Sequence, residues 1–235
     1  MISWASASDP TILALLSAHP RVQEVRTDDS EGIQFAQGDW VRSIRRQAPA
    51  SLSGLVEMID NNPMVCADDF ALPSPLASLA SIALGPIIDA GLLVEEPILL
   101  TSSELASNDL ASTLAALNWP HGAILNTELP PLEGAVAVTA MALIAMTDDF
   151  DEIDELYEER YGRCFFIRCD DASEWDTRLV VGSQNALYRL RITPGDPHTL
   201  LRIQVMAASE GKVGAGQMVH AMNVMAGFEE SLGIA

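Results

Sequence analysis

Residues Gly211-Lys212-Val213-Gly214-Ala215-Gly216-Gln217 put three glycines into seven positions and run straight into an apolar helical pattern, Met218 to Gly227. A turn of this composition can present backbone N–H groups to a ligand, helped by the positive end of the helix behind it. Lys212, Gly214, Gly216, Gln217 and Asn223 are therefore the candidate ligand-binding residues. The same residues carry a plainer reading, in which small side chains at 214–216 let a helix pack closely on a sheet. His220, further along that helix, reads as a core or edge histidine.

The chain has 235 residues, 49% of them hydrophobic and 20% charged, which suits one large or two small folded domains and excludes extended disorder. The apolar stretch from Leu72 to Leu100 is broken by prolines, by Asp89 and by Glu95-Glu96. The stretch from Ala135 to Met146 is too short to span a bilayer. No basic, then apolar, N-terminal leader is seen. A soluble, cytoplasmic chain is expected. The net charge of −20 repels phosphate backbones, so nucleic acid is not an expected partner. Lys212 is the only lysine. Cys66, Cys164 and Cys169 lack zinc spacing and fit a reducing compartment.

Along the chain, Asp9 caps a helix over 11–18 that stops at His19-Pro20, and Val22–Arg26 follows as a strand. Leu52–Ile59 reads as an amphipathic helix ended by Asn61-Asn62-Pro63, and Met64–Ala67 as a buried strand. Pro75–Ala90 is a helix whose last turn is disrupted by Pro86. Ile98–Thr101 is a strand, Leu105–Leu117 a helix and Ala135–Ala145 a buried strand. Asp148–Tyr161 is an acidic helix, and strands are expected at Cys164–Cys169, Arg178–Val181, Ala186–Ile192 and Leu200–Met206. The acidic run Asp148, Asp149, Asp151, Glu152, Asp154, Glu155, Glu158, Glu159 lacks a metal-binding loop and reads as a solvated helix face, so no metal is expected.

Several segments together carry a resemblance. They are Ile12–Val22 with its Leu-Leu and His-Pro, Leu72–Pro75 running to Pro86–Leu93, Pro131-Leu132 with Ala135–Ala140, Tyr157-Glu158-Glu159-Arg160-Tyr161, and the C-terminal turn with Gly227–Ile234. In this order they resemble N-acetyl-γ-glutamyl-phosphate reductase, a family of NADP-dependent semialdehyde dehydrogenases. The resemblance implies a Rossmann-like part holding NADP, a cysteine nucleophile, a histidine base, and a C-terminal turn beside nicotinamide and substrate.

The residues that make the family enzymatic are not matched. Its phosphate-loop glycines correspond to Ser3, Ser6 and Asp9, and Asp9 would set a carboxylate where phosphate sits. Hardly any first strand precedes this loop. The nucleophile corresponds to Pro75. Cys66, after Asn62-Pro63, is the only weak substitute, and its plainer reading is a small buried hydrophobe. The base position falls near Ala106 and Ser107, with His121 a weak substitute that reads as a loop residue. In the family's His-Leu-x-Pro-Met motif the histidine becomes Glu128 and the following arginine Gly134. The asparagine before the C-terminal turn becomes about Ser209.

The expected fold is α/β plus α+β. A reduced Rossmann-like part covers residues 1–74 and 212–235, and an inserted α+β dimerisation or substrate-type domain covers 75–211, its antiparallel-rich sheet covered by helices. The leading expectation is a non-catalytic relative, a binding or assembly subunit without a cofactor. It would form a homo-oligomer, or a hetero-oligomer with a reductase paralogue. One alternative is an NADP-dependent acyl-phosphate reductase using Cys66. Another is a cofactor-free enzyme drawing on His121, His220, Asp68 or Asp69.

Overall fold

The computed structural model describes residues 1–105, 107–145 and 150–234. In chain order the elements are β1 (Trp4–Ala7), α1 (Pro10–Ala18), β2 (Val25–Thr27), β3 (Ile33–Gln37), β4 (Trp40–Arg46), β5 (Leu52–Ser53), α2 (Asn61–Cys66), β6 (Asp69–Leu72), α3 (Pro75–Asp89), β7 (Ile98–Ser102), α4 (Leu110–Ala116), β8 (Ile124–Leu129), β9 (Ala135–Ala145), α5 (Asp151–Tyr161), β10 (Ile167–Cys169), β11 (Ala186–Thr193), β12 (His198–Ala208) and α6 (Ala215–Ala226). Contacts divide them into two units, Met1–Pro73 with Glu210–Ala235, and Ser74–Ser209. Each is built on a six-stranded mixed sheet.

In the first unit the strand order is β2-β1-β3-β4-β6-β5. β1 and β2 run parallel, joined by α1, as in a Rossmann-type crossover. The hairpin β3–β4 turns through Gly38-Asp39, with Gly38 at φ +64°, and inserts antiparallel pairs into the sheet. Helix α6 is buried along its whole length and packs on α1, α2, β3 and β4. Arg42 of β4 explains part of that fit. Its buried guanidinium lies 4.8 Å from the Phe35 ring and 4.2 Å from the Trp40 ring. It donates to Met225 O (2.6 Å) and Val65 O (3.2 Å), in the last turns of α6 and α2, where helices leave carbonyls unpaired and partial negative charge accumulates.

Three expectations in this unit are overturned. A first strand does exist: β1 pairs parallel with β2 and antiparallel with β3, and its Ala5 and Ala7 are fully buried. Leu52–Ile59 is not a helix. Leu52-Ser53 pairs with β6, Gly54 sits at φ +143°, and only Val56–Met58 makes a 3₁₀ turn. Met64–Ala67 is not a strand either. Asn61-Asn62-Pro63 starts helix α2 instead of ending one, since a proline in the first turn has no N–H bond to lose.

The second unit has the order β10-β11-β12-β9-β7-β8. One sheet face, with Val138, Ala140, Ala142 and Ile144 of β9 and Leu201, Ile203 and Val205 of β12, is buried, and α3 packs on both strands. Every residue of α3 from Leu76 to Ile88 is buried. It continues unbroken through Pro86, contrary to the expected disruption, and α5 supplies the reason. Proline leaves the carbonyl four residues back without a donor. That carbonyl, Ile82 O, accepts instead from the Tyr161 hydroxyl at 3.0 Å, and Tyr157 donates to Ala83 O next to it. The spacing of the two tyrosines in Tyr-Glu-Glu-x-Tyr is thus the spacing of one helix turn facing another helix. α5 itself begins at Asp151, and Asp148 and Asp149 lie outside the described residues.

The other face of this sheet is partly covered. Residues 170–185 loop over one end, where Val180 joins Ala135, Leu187 and Met206, and Thr177–Leu179 forms a 3₁₀ turn in place of the expected strand. Further along, register aligns Arg191, Arg202, Met141, Ile98 and Ile124 in one row across five strands. Ile98 is 38% exposed and Ile124 52%, and Met141, Leu143 and Leu200 are half-buried.

Candidate functional site

The C-terminal turn is the first place to look, and its polar side chains point inward. Lys212 forms an ion pair with Glu57 at 2.6 Å, with the two side chains only 1% and 2% exposed. His220 Nδ1 lies 3.1 Å from Lys212 Nζ, and its Nε2 lies 2.9 Å from Glu230 Oε2. Burial, then the Lys212 charge, holds His220 below its ordinary pKa, so the ring is neutral near pH 7. A neutral ring accepting from Lys212 at Nδ1 must donate from Nε2 to Glu230. Burial alone would raise Glu57, but Lys212 and His220 outweigh it and hold the carboxyl below its usual range. Asn223 donates to Glu230 O (3.0 Å) and Leu232 O (2.9 Å), and its Oδ1 lies 2.9 Å from His19 Nε2. Gly233, at φ +76°, approaches the His19 ring so closely that a Cβ would sit 2.6 Å from it.

These contacts fasten the segment after α6 back onto α6 and α1. Gly214 begins α6 without a side-chain cap, and Arg46 reaches its carbonyl at 3.3 Å and Gln217 Oε1 at 3.4 Å. Gly216 N donates to Glu210 O at 3.0 Å. Gln217 is fully buried, and its Nε2 has no acceptor among the described residues. The candidate residues Lys212, Gly214, Gly216, Gln217 and Asn223 therefore do come together, as the inner wiring of the first unit.

The N-terminal loop was expected at Ser3, Ser6 and Asp9. Ser3 N instead bonds Ala36 O at 2.8 Å, Ser6 lies within β1, and only Ser8-Asp9 separates β1 from α1. Asp9 Oδ1 accepts from Thr11 N (2.7 Å) and Ile12 N (3.0 Å). These are the amides with which a Rossmann helix meets a pyrophosphate. The chain's own carboxylate holds them, and beyond β2 Asp28 accepts from Ser30 and then from Ser6, which keeps it below the usual carboxylate range. These residues do not fit an NADP pyrophosphate.

The remaining candidates scatter. Pro75 is the first residue of α3. Ser74 before it is 2% exposed and spends its hydroxyl accepting from Ala77 N (3.1 Å) and contacting Ser107 Oγ (2.8 Å). Asp109 accepts from Ser74 N at 2.7 Å. Cys66 is exposed at the end of α2, contrary to the small-buried-hydrophobe reading, because α2 turns that side outward. His121 is exposed beside Trp119, with ring centroids 4.9 Å apart. Asp68 accepts from Trp40 Nε1 (2.7 Å), whereas Asp69 accepts from Ser51, so the two carboxylates serve different partners. Glu128 is exposed on β8, and Gly134 occupies a positive-φ turn before β9. Ala106 lies outside the described residues.

Glu57, Arg42, Arg46 and Glu230 complete the wiring and went unnoticed in the sequence. Glu57 had no local signal, since a single acid in an amphipathic stretch normally faces water. Glu230 lies within a motif that the resemblance had already marked.

A cavity of about 300 Å³ lies in the second unit where β7 and β8 end and β9 begins. Leu105, Leu129, Leu132 and Val136 give it an aliphatic wall, and Ser102, Glu104 and Ser209 bring polar groups.

No protein-family model matches the chain. It is similar to the aspartate semialdehyde dehydrogenase II of Vibrio cholerae, with a TM-score of 0.65 and 11% identity, covering 96% of this chain and 98% of that one. A structure of that enzyme complexed with ASA gives a TM-score of 0.59 at 12% identity, covering 92% and 94%. The fold is that of a semialdehyde dehydrogenase. Among curated proteins the chain is 24% identical over 201 residues to the N-acetyl-γ-glutamyl-phosphate reductase of Bacillus cereus, and 23% over 199 residues to that of Bacillus anthracis, covering 72% of this chain in each case. It spans 57% of the length of these relatives.

Proposed function

We propose that this chain is a non-catalytic relative of the reductases, a binding or assembly subunit that works without NADP. It pairs through the open face of the second unit's sheet, with a second copy of itself or with a reductase paralogue. The observation that carries the reading is the start of α3. Where the resemblance expects a cysteine thiolate, Pro75 offers no nucleophile, and the neighbouring Ser74 hydroxyl is buried and engaged as a helix cap. Support comes from Asp9, which holds the α1 amides against a phosphate, and from Glu128 and Gly134, neither of which supplies a cation. The row Met141–Ile98–Ile124 meanwhile leaves apolar area at the surface, which a partner sheet would cover.

Sedimentation velocity of the purified chain, alone and mixed with a reductase paralogue, tests the pairing. Met141→Glu buries a carboxylate in the paired face and is expected to weaken association about 100-fold or more. A wild-type chain that stays monomeric and does not join the paralogue overturns the reading. The rival, an NADP-dependent reductase using Cys66, requires turnover of an acyl phosphate that disappears in Cys66→Ser.

A further inference from the structure

We infer that the cavity between the ends of β7 and β8 and the start of β9 binds a small organic monocation, a primary amine on an aliphatic body. At about 300 Å³ it falls at the small end of the range of ligand pockets. Leu105, Leu129, Leu132 and Val136 favour an apolar body. The polar side chains among the lining residues are those of Glu104, Ser102 and Ser209, and the lining contains no arginine, lysine or histidine. None of these three side chains makes a hydrogen bond or ion pair among the described residues. An ammonium has three N–H donors and no acceptor, and one carboxylate with two hydroxyl oxygens matches it in kind and number.

The surroundings have the same sign. Glu128 and Glu133 are exposed on the segment that forms the wall, and the whole chain carries −20. An anion entering here would be repelled and would find no cationic partner, whereas a cation is drawn in. This is the opposite charge preference from an acyl phosphate. The inference holds whether or not the chain pairs through its sheet face, because every wall residue belongs to the second unit of one chain.

The test is calorimetry on the full chain at about 0.15 M salt, where exposed charges are screened within about 8 Å. The probes are n-propyl- to n-hexylammonium, with hexanoate and 1-hexanol as controls. Saturable one-to-one binding of hexylammonium is expected, tightening about fourfold per methylene along the series. Hexanoate should give no saturable heat. Glu104→Gln, a surface change with little effect on folding, should weaken hexylammonium at least about tenfold while leaving hexanol unchanged. The inference is overturned by any of four results: no saturable binding, hexanoate binding as tightly, affinity independent of chain length, or unaltered affinity in Glu104→Gln. Sedimentation of the same samples reads the pairing proposal separately, so either idea can fail without the other.

Discussion

Lys212 is the only lysine in the chain, and it is buried against Glu57 and His220. An amine-reactive ester applied to the native chain should therefore modify the α-amino group and spare Lys212, which becomes reactive only on unfolding. Peptide mapping checks this, and rapid native labelling of Lys212 would contradict the buried pair. The same cluster sets a pH dependence. His220 has a folded-state pKa below its ordinary 6.5, and so does His19, through burial. Above that value both states are neutral and nothing is lost. As pH falls below it, the unfolded chain takes up protons that the folded chain refuses, so stability falls. Glu57, held below its ordinary 4.5, adds a second loss in the range beneath that value. Urea midpoints should therefore drop between about pH 7.5 and pH 5.5, and His220→Gln should reduce the slope. An unchanged slope in that variant would contradict the assignment.

Among the elements, α3 and α5 show best what the sequence disclosed. Pro75 and Ser74 mark the start of α3 in the chain itself, and the Ala/Leu/Ile run marks its burial. The tolerance of Pro86 was not legible, because the donor that satisfies Ile82 O, Tyr161, lies 79 residues beyond Ile82. Tyr161→Phe should destabilise the chain by about 1–2 kcal/mol, the cost of a buried carbonyl left without a partner. With Pro86→Ala already in place, that cost should shrink towards zero, since residue 86 then carries its own N–H for Ile82 O. Equal costs in both backgrounds would refute the account. The start of α2 was not legible, because a proline that usually stops a helix here sits in its first turn.

For the whole molecule, the resemblance pointed to the semialdehyde dehydrogenase fold, and the substitutions at Asp9, Pro75, Glu128 and Gly134 could be read off the chain. The inner wiring at 212–230 could not, because sequence gives the residue types of the Gly-rich turn but not the Glu57 that turns Lys212 inward. Charge acts at this scale too. Two copies at −20 repel each other, so self-pairing through the open sheet face should strengthen as salt rises from about 0.02 to 0.15 M. Sedimentation at the two salts reads this directly, and weaker pairing at higher salt would point to a charge-complementary partner instead. The central claim, that the fold persists while the cofactor chemistry has gone, is tested most directly by titrating NADPH into the purified chain in a calorimeter. The account predicts no saturable heat up to millimolar NADPH. Micromolar binding with one site per chain would contradict it.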